Sequence, residues 1–481
     1  MLRPWKIEIQ LDSQSEKAIY LQIADVIIQD IQTGRLKAGD ALPGSRQLAA
    51  DLSVNRNTVV DALNVLINEG WIEAMPRKGA FVADVLPTSH AHNHGDKQTI
   101  SPPAFNNHIH LYFDDGFPDS KIAPMTELAR AYRKIFNQKA RWQLMGYNSE
   151  LGDESFRKVV ARMLNHQRGM QVTANEICIT RGSQMATYLA AHCLLEAGDK
   201  VIVENPGYRP AWKALENAGA ALIPIAVDEE GIVIEDVIAC LQAQGQIKAI
   251  YITPHHQYPT TVTLSLQRRQ TLIRLSNEYG FTIVEDDYDN EFHFGYRPVL
   301  PLASFPELRN YAYIGTMSKV VAPALRIGYL VSNDPAFMQS VAALRKIIDV
   351  QGDAMMEQAV LELINDGTIK KHIRKATLFY KNKRDKTLQL LEKYLKGKAD
   401  YEVPEGGLAF WIEPVSKINW RKVADELLAK GIKINTPDNY SDDPRLNGFR
   451  FGYGALSEAQ LEEGIMALAT YLPAKTVEKK H

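Results

Sequence analysis

Apolar residues at positions 19, 23, 26, 27 and 31 fall on one face of a helix, and Gly34 stops it. Ser45 is placed to cap a short second helix, Arg46-Gln-Leu-Ala-Ala-Asp-Leu52. After a turn at Ser53 and Val54, Asn55 or Asn57 can cap a third helix. Its inward positions would be Val59, Ala62, Leu63, Leu66 and Ile67, and Gly70 ends it. Two strand-like runs, Trp71-Ile-Glu-Ala and Ala80-Phe-Val-Ala, then flank the turn Met75-Pro-Arg-Lys-Gly79. Three helices followed by a hairpin with a basic tip predict a winged helix-turn-helix over residues 1–83.

Periodicity then lapses. Residues 84–111 hold Pro87, Gly95, Pro102 and Pro103 among Ser, Asn and His, the composition of a flexible linker. A chain of that length has a root-mean-square span of roughly 25–30 Å, enough to carry the first domain to a partner subunit. From 112 to 481, apolar runs alternate with helix-length stretches. The runs are Glu176-Ile-Cys-Ile-Thr180, Lys200-Val-Ile-Val203, Ala249-Ile-Tyr-Ile-Thr253, Thr282-Ile-Val-Glu285, Tyr311-Ala-Tyr-Ile314 and Gly328-Tyr-Leu-Val331. Several are too apolar for a half-exposed hairpin, so an α/β domain with a mostly parallel central sheet, covered on both faces, is expected. In such sheets ligands sit at the carboxyl ends of the strands.

Composition sharpens this picture in a few places. At 481 residues, 45% apolar and 23% charged, the chain has the length for more than one domain and an ordinary globular balance. No run approaches a membrane span, and Met1-Leu-Arg-Pro-Trp-Lys lacks the order of a signal peptide, so a cytoplasmic protein is expected. Cys178, Cys193 and Cys240 are widely spaced, as buried reduced thiols would be. His90, His92 and His94 alternate in the linker, but no carboxylate or thiol cluster completes a metal shell there. The net charge is −2, and residues 1–85 hold nine Lys and Arg against eleven Asp and Glu. A DNA-binding reading therefore rests on placement.

The placement is that of an operator reader. Asn55, Arg56, Asn57 and Thr58 open the third helix, where short polar and basic side chains meet base edges. Arg46 opens the preceding helix, and Arg77 and Lys78 tip the wing. With Tyr20-Leu-Gln-Ile-Ala, Leu42-Pro-Gly-Ser-Arg-Gln-Leu-Ala, Val54-Asn-Arg-Asn-Thr-Val and Arg77-Lys-Gly-Ala-Phe-Val82, this region resembles the GntR family of winged-helix regulators. Operator DNA is the partner that this resemblance implies.

The large domain carries a second chemistry. A carbonyl cofactor needs a lysine amine for a Schiff base, and its phosphate needs hydroxyls, backbone N–H groups and a guanidinium. The run Gly315-Thr-Met-Ser-Lys-Val-Val-Ala-Pro-Ala-Leu-Arg326 supplies Lys319, Thr316, Ser318 and Arg326 after a predicted strand. Thr180-Arg-Gly-Ser-Gln-Met-Ala offers amides at Gly182, Ser183 and Gln184 where a helix begins, and Asp286 ends another strand, where an acid can hold a protonated pyridine nitrogen.

At these residues the domain resembles a fold-type I, class I aminotransferase. Joined to the GntR-like reader, the chain is similar to the MocR/GabR subfamily of bacterial regulators. The resemblance implies pyridoxal phosphate held on Lys319, with Asp286 on the pyridinium nitrogen and Tyr288 on the ring hydroxyl. It implies phosphate contacts from Gly182, Ser183, Gln184, Thr316, Ser318 and Arg326, and Tyr208 stacked on the ring. Tyr147 would reach the neighbouring subunit's phosphate in a homodimer, for which a head-to-tail, domain-swapped arrangement is open. Arg450 would grip an effector's carboxylate, and Arg209 is a candidate for a second acidic group.

One stretch departs from the aminotransferase pattern. Where those enzymes carry Asn-Pro-Thr-Gly, this chain has His255-His-Gln-Tyr-Pro-Thr-Thr261, which leaves open whether His256, Gln257 or Tyr258 replaces the asparagine contact. The reading that follows is a transcriptional regulator sensing an amino acid or amine through an external aldimine, rather than an enzyme, with a partial half-reaction left open. The alternative is an aminotransferase with an accessory DNA-binding domain.

Overall fold

The computed structural model describes residues 7–9, 11, 12, 14, 15, 17–75, 79–87, 109–137, 142, 145–295 and 299–474. The chain falls into two compact units, Met1–Phe105 and Asn106–His481. Arg77, Lys78 and the histidines at 90, 92 and 94 lie outside the described residues, as does most of the expected linker.

The first unit holds α1 (Ile19–Gln32), α2 (Ser45–Asp51), α3 (Arg56–Asn68), β1 (Ile72–Met75) and β2 (Gly79–Val82). The two strands form an antiparallel hairpin from Ile72↔Val82 to Met75↔Gly79. Ile23, Ile27 and Ile31 of α1 close on Leu48 of α2 and on Val59, Ala62 and Leu66 of α3, all buried. Two sequence expectations change. Gly44, not Ser45, precedes the first turn of α2, and the Ser45 hydroxyl instead accepts a 3.4 Å hydrogen bond from Arg56 Nε. Ile67 faces outward at 36% exposure, one position past the wholly buried Leu66, because the helix turns it about 100° away from the core.

The first described element of the second unit is β3 (Leu111–Phe113), which starts at the last residue of the expected linker. It continues with α4 (Met125–Asn137), α5 (Glu154–Arg168), β4 (Ile177–Thr180), α6 (Ser183–Leu194), β5 (Lys200–Asn205), α7 (Arg209–Asn217), β6 (Ala221–Asp228) and β7 (Gly231–Ile232). Then come α8 (Ile234–Gln244), β8 (Ala249–Ile252), α9 (Leu266–Tyr279), β9 (Thr282–Asp287), β10 (Tyr311–Thr316), β11 (Gly328–Val331), α10 (Pro335–Asp349), α11 (Ala354–Asn365) and α12 (Thr368–Leu395). The last elements are β12 (Ala399–Tyr401), β13 (Ala409–Pro414), α13 (Trp420–Ala429), β14 (Ile432–Ile434), β15 (Phe449–Gly452) and α14 (Glu458–Ala469).

The large sheet has the strand order β4-β11-β10-β9-β8-β5-β6-β7. β10, β9, β8, β5 and β6 run parallel, while β11 is antiparallel to both its neighbours. Alternate strand residues serve opposite faces, as the pleat requires. Ile202, Ile250 and Ile283 pack under α5, α8 and α9, and Val203, Tyr251 and Val284 pack under α6, α7 and α10. Burial on both faces is why these strands read as unbroken apolar runs. β6, interrupted by Pro224 and mostly half-buried or exposed, lacks that signal and was not foreseen. A smaller antiparallel sheet, β12-β13-β15, and the parallel pair β14-β3 form a second core with α13 and α14. Among the described residues, no helix is long and apolar enough to cross a membrane.

The run after β8 keeps the turn that glycine usually makes. Thr261 sits at φ = 68°, held by its amide donating to Gln257 O at 2.7 Å and by Gln257 N donating to Val262 O at 2.8 Å. A β-branched residue in the left-handed region is strained by roughly 1–3 kcal/mol. Thr261→Gly should therefore raise the stability of the protein by about 1 kcal/mol after the greater unfolded-state freedom of glycine is deducted. An unchanged or lower thermal midpoint would show that the position carries no strain.

Candidate functional site

A cavity of about 560 Å³ opens at the carboxyl ends of β8, β9 and β10. Its floor is Asp286, the penultimate residue of β9. Tyr251, one strand over on β8, donates its hydroxyl to Asp286 Oδ2 at 2.7 Å, while the buried Oδ1 has no partner. Burial, and after it the neighbouring Asp287 carboxylate, push the Asp286 carboxyl up to about 7. Asp287 itself escapes this by pairing with Arg168 and accepting Tyr313's hydroxyl at 2.8 Å. Two adjacent acids are thus held in opposite states of comfort: one paired, the other waiting for a donor.

Lys319 lies beyond the end of β10, with Nζ 4.5 Å from the centre of the Tyr288 ring. Burial pulls its amine below the usual lysine range, Arg450 adds to this, and Asp289, Asp114 and Asp115 oppose it. A lowered pKa enlarges the fraction of neutral, nucleophilic amine. Ser318 is buried with its hydroxyl unpartnered. Thr316 lines the same wall, but its hydroxyl donates to Ile327 O at 3.0 Å and accepts Ser318 N at 3.1 Å, so its hydrogen is committed within the chain.

The other wall is the start of α6. Gly182 precedes the helix at φ = 82°, and Ser183, its first residue, lines the cavity. Arg326, itself in the left-handed region at φ = 50°, lays its guanidinium across Gly182 and donates to Arg181 O at 3.2 Å. A Cβ on Gly182 would stand 2.5 Å from Arg326 Nη2, and one on Gly328 would stand 2.6 Å from the Gly182 carbonyl carbon. Both positions must be glycine for the guanidinium to reach the helix start. A helix N-terminus, a free hydroxyl and a guanidinium form an anion cradle. Gln184 does not turn its side chain to the cavity: Nε2 donates to Pro210 O at 3.0 Å, leaving only its backbone for an anion.

Tyr208 faces the cavity and meets Tyr258 edge-on at 5.0 Å. Tyr288 also faces it, donating to His256 O at 3.0 Å and accepting from Arg450 Nη2 at 3.2 Å. Within the run that departs from Asn-Pro-Thr-Gly, Gln257 is fully engaged with Pro206 O, Tyr258 O and Thr260, and His256 pairs with Asp289 at 2.7 Å. Tyr258 is the one of the three that lines the cavity. Arg450, on β15, is wholly buried: Nε donates to Asp115 O at 3.0 Å and Nη1 to Pro259 O at 2.9 Å. Arg209 lines the rim, paired with Asp442. Tyr147 is 90% exposed and is not among the residues lining this cavity.

Sequence reasoning missed Asp115, Asn435, Asp438 and Asn439, which close the cavity from the smaller core. Asp115 follows Phe113-Asp114 in an acidic break after an apolar run, the one local signal any of them offers.

In the first unit, Asn55 caps α3, its side chain accepting Asn57 N at 2.9 Å. Arg46, Asn55, Arg56 and Asn57 are exposed and Thr58 is half-buried. The polar start of α3 is thus free of the core that holds its far side.

Residues 19–82 match the bacterial regulatory proteins of the gntR family, and residues 116–468 match aminotransferase class I and II. Over 483 aligned residues, the chain is 26% identical to the probable rhizopine catabolism regulatory protein MocR of Rhizobium meliloti, covering 95% of this chain and 94% of that one. It is 26% identical to the HTH-type transcriptional regulator TauR of Rhodobacter capsulatus, covering 94% and 96%. Among solved structures it resembles kynurenine aminotransferase of Pyrococcus horikoshii, with a TM-score of 0.71, 27% identity, and coverage of 76% of this chain and 91% of that one. The gntR model covers the winged-helix unit and the aminotransferase model covers most of the large sheet domain, and the chain belongs to the aminotransferase class I and II family with a gntR-type domain at its N-terminal end.

Proposed function

We propose that this chain is a pyridoxal phosphate-dependent transcriptional regulator that binds operator DNA and responds to an amino acid or amine. The observation that carries the reading is one cavity that joins Lys319, the half-satisfied Asp286 and the Gly182–Arg326 cradle, in a chain that also holds a winged helix. The full-length likeness to proteins named as regulators supports regulation over turnover.

The residues fit the cofactor on three counts. Asp286 Oδ1 and Ser318 Oγ are buried and unpartnered at the cavity wall, and a Cβ would fill the cradle that Gly182 leaves open. Lys319 would supply the amine. Asp286 would hold a proton on the ring nitrogen, Tyr288 would face the ring hydroxyl, and Tyr208 would cover the ring. Ser183, Ser318, Arg326 and the amides of Gly182 and Gln184 would hold the phosphate, with Thr316 shaping the wall. When bound, pyridoxal phosphate supplies a carbonyl that exchanges one amine for another and a ring that draws off electrons. An arriving amine would release Lys319. An effector switches DNA binding only to the extent that it prefers one conformation over the other. Arg450 and Arg209 are the candidate partners of its carboxylates.

Operator contacts fall to Arg46, Asn55, Arg56, Asn57 and Thr58, with Arg77 and Lys78 on the wing. The second unit would form the homodimer. Trp142, Met145, Tyr147, Ile347 and Val350 are exposed apolar side chains, and the amide of Asn148 donates to Gln351, tying the two stretches into one patch.

Lys319→Ala should abolish the cofactor's visible band and its fixation by borohydride, while Arg56→Ala keeps the band and weakens operator binding roughly tenfold or more. A band retained without Lys319 would end the cofactor reading. Operator affinity unchanged in the second variant would end the assignment of α3.

Asp286 predicts a pH signature of the cofactor-free protein. Its carboxyl keeps a proton to about pH 7 when folded, whereas an unfolded aspartate releases it near 3.8. The folded state thus binds the extra proton, and stability falls as pH rises between those values. At pH 8, Asp286→Asn should stabilise this form by roughly 4 kcal/mol, with the difference vanishing towards pH 4. It should also weaken the cofactor at least roughly tenfold. Parallel denaturation curves at both pH values would contradict the first expectation.

For assembly, sedimentation should give a dimer for the native chain and a monomer for Ile347→Asp, whose native side chain is 82% exposed. A native monomer would exclude the shared site at Tyr147.

A further inference from the structure

The end of the cavity that faces Lys319 from the smaller core is acidic. Asp115 and Asp438 line it together with the amides of Asn435 and Asn439. Asp115 is half-buried, and Asn435 Nδ2, a neutral donor, binds its Oδ1 at 2.8 Å. Among the described residues, its carboxylate forms no ion pair. The guanidinium beside it, that of Arg450, donates Nε to the Asp115 backbone carbonyl and spends its other nitrogens on Pro259 O and Tyr288. Arg450 itself is wholly buried and does not line the cavity. The cavity therefore presents a carboxylate where the buried arginine would otherwise be met. Arg209, also on the cavity lining, is already paired with Asp442, and Lys213 is exposed.

With Lys319, Arg326 and Asp286 committed to the cofactor under the function proposed above, on which this inference rests, Asp115 is left on the cavity wall as a carboxylate that, among the described residues, no cation pairs. A carboxylate held by neutral donors at a partly desolvated wall gains most from a charge-assisted hydrogen bond with an ammonium. We propose that the effector carries two amino groups, one reacting at the Lys319 position and the other, cationic, seated on the Asp115 carboxylate with Asp438 at the rim. Aliphatic diamines and basic amino acids share that chemistry. Acidic and neutral amino acids lack it.

The test uses the full-length protein loaded with pyridoxal phosphate and follows the shift of the cofactor's visible band during titration. Putrescine and cadaverine form one arm, ornithine and lysine another, and butylamine, alanine and glutamate are the references. Diamines or basic amino acids should act at concentrations roughly tenfold or more below butylamine and glutamate. Asp115→Asn, which keeps the backbone carbonyl that Arg450 uses, should reduce the ratio between putrescine and butylamine, measured within the same variant, to about threefold or less. The two arms separate a carboxylated source from a decarboxylated one, and tight binding in either supports the proposal. Glutamate or alanine binding better than every diamine and basic amino acid overturns it, as does a preference that survives Asp115→Asn. A protein that takes up no cofactor fails the parent reading, and this inference falls with it.

Discussion

Asp286 is buried at the end of a sheet strand with one oxygen bonded to Tyr251 and the other, among the described residues, without a partner. A carboxylate in that condition is costly, and its displaced pKa measures the cost. The surrounding structure preserves it. β8 and β10 flank β9, so Tyr251 can reach from one side and Lys319 can follow on the other. Arg168 and Tyr313 neutralise the next acid, Asp287, which removes a second unpaired charge from the same spot. A stable fold would be simpler with an apolar residue at 286, so the acid is best understood through a cationic ring nitrogen that completes it.

The wall opposite is held as firmly, by hydrogen bonds to groups without charge. Gln257 uses both ends of its amide to lock the run after β8, and Arg450 braces that run against the segment after β3 and against Tyr288. These long-range bonds fix where Asp115 and Tyr258 stand, so the ligand-facing surface is set before any ligand arrives. Preorganisation of this kind lowers the ordering cost of binding.

Much of the candidate cavity was legible from residue types because a parallel sheet gathers its strand ends at one edge. Lys319, Asp286 and Ser183 each follow an apolar run, and the fold does the rest. Side chains that settle their own bonds were less legible. Nothing local says that Gln184 turns to Pro210, that Thr316 gives its hydrogen to Ile327, or that Ser45 serves Arg56 instead of a cap. The acidic end was hidden for another reason. Asp115 and Asn435 stand 320 residues apart, joined only because β3 pairs with β14, two three-residue strands with little periodicity to announce them. Tyr147 is 90% exposed, and among the described residues no hydrogen bond within the chain accounts for its position.

The interlock of Gly182, Arg326 and Gly328 bears on how such a cavity can change over generations. The guanidinium occupies the space a side chain at 182 would need, and the bareness of 328 lets the two segments touch. Losing the arginine would clear the space beside Gly182 but would release neither glycine, because a Cβ on Gly328 would still stand 2.6 Å from the Gly182 carbonyl carbon and Gly182 would keep its φ of 82°. Restoring the arginine alone would then rebuild the cradle. The two glycines are held by the backbone whatever stands at 326, so a lineage that gave up the guanidinium would keep the place to which it could return.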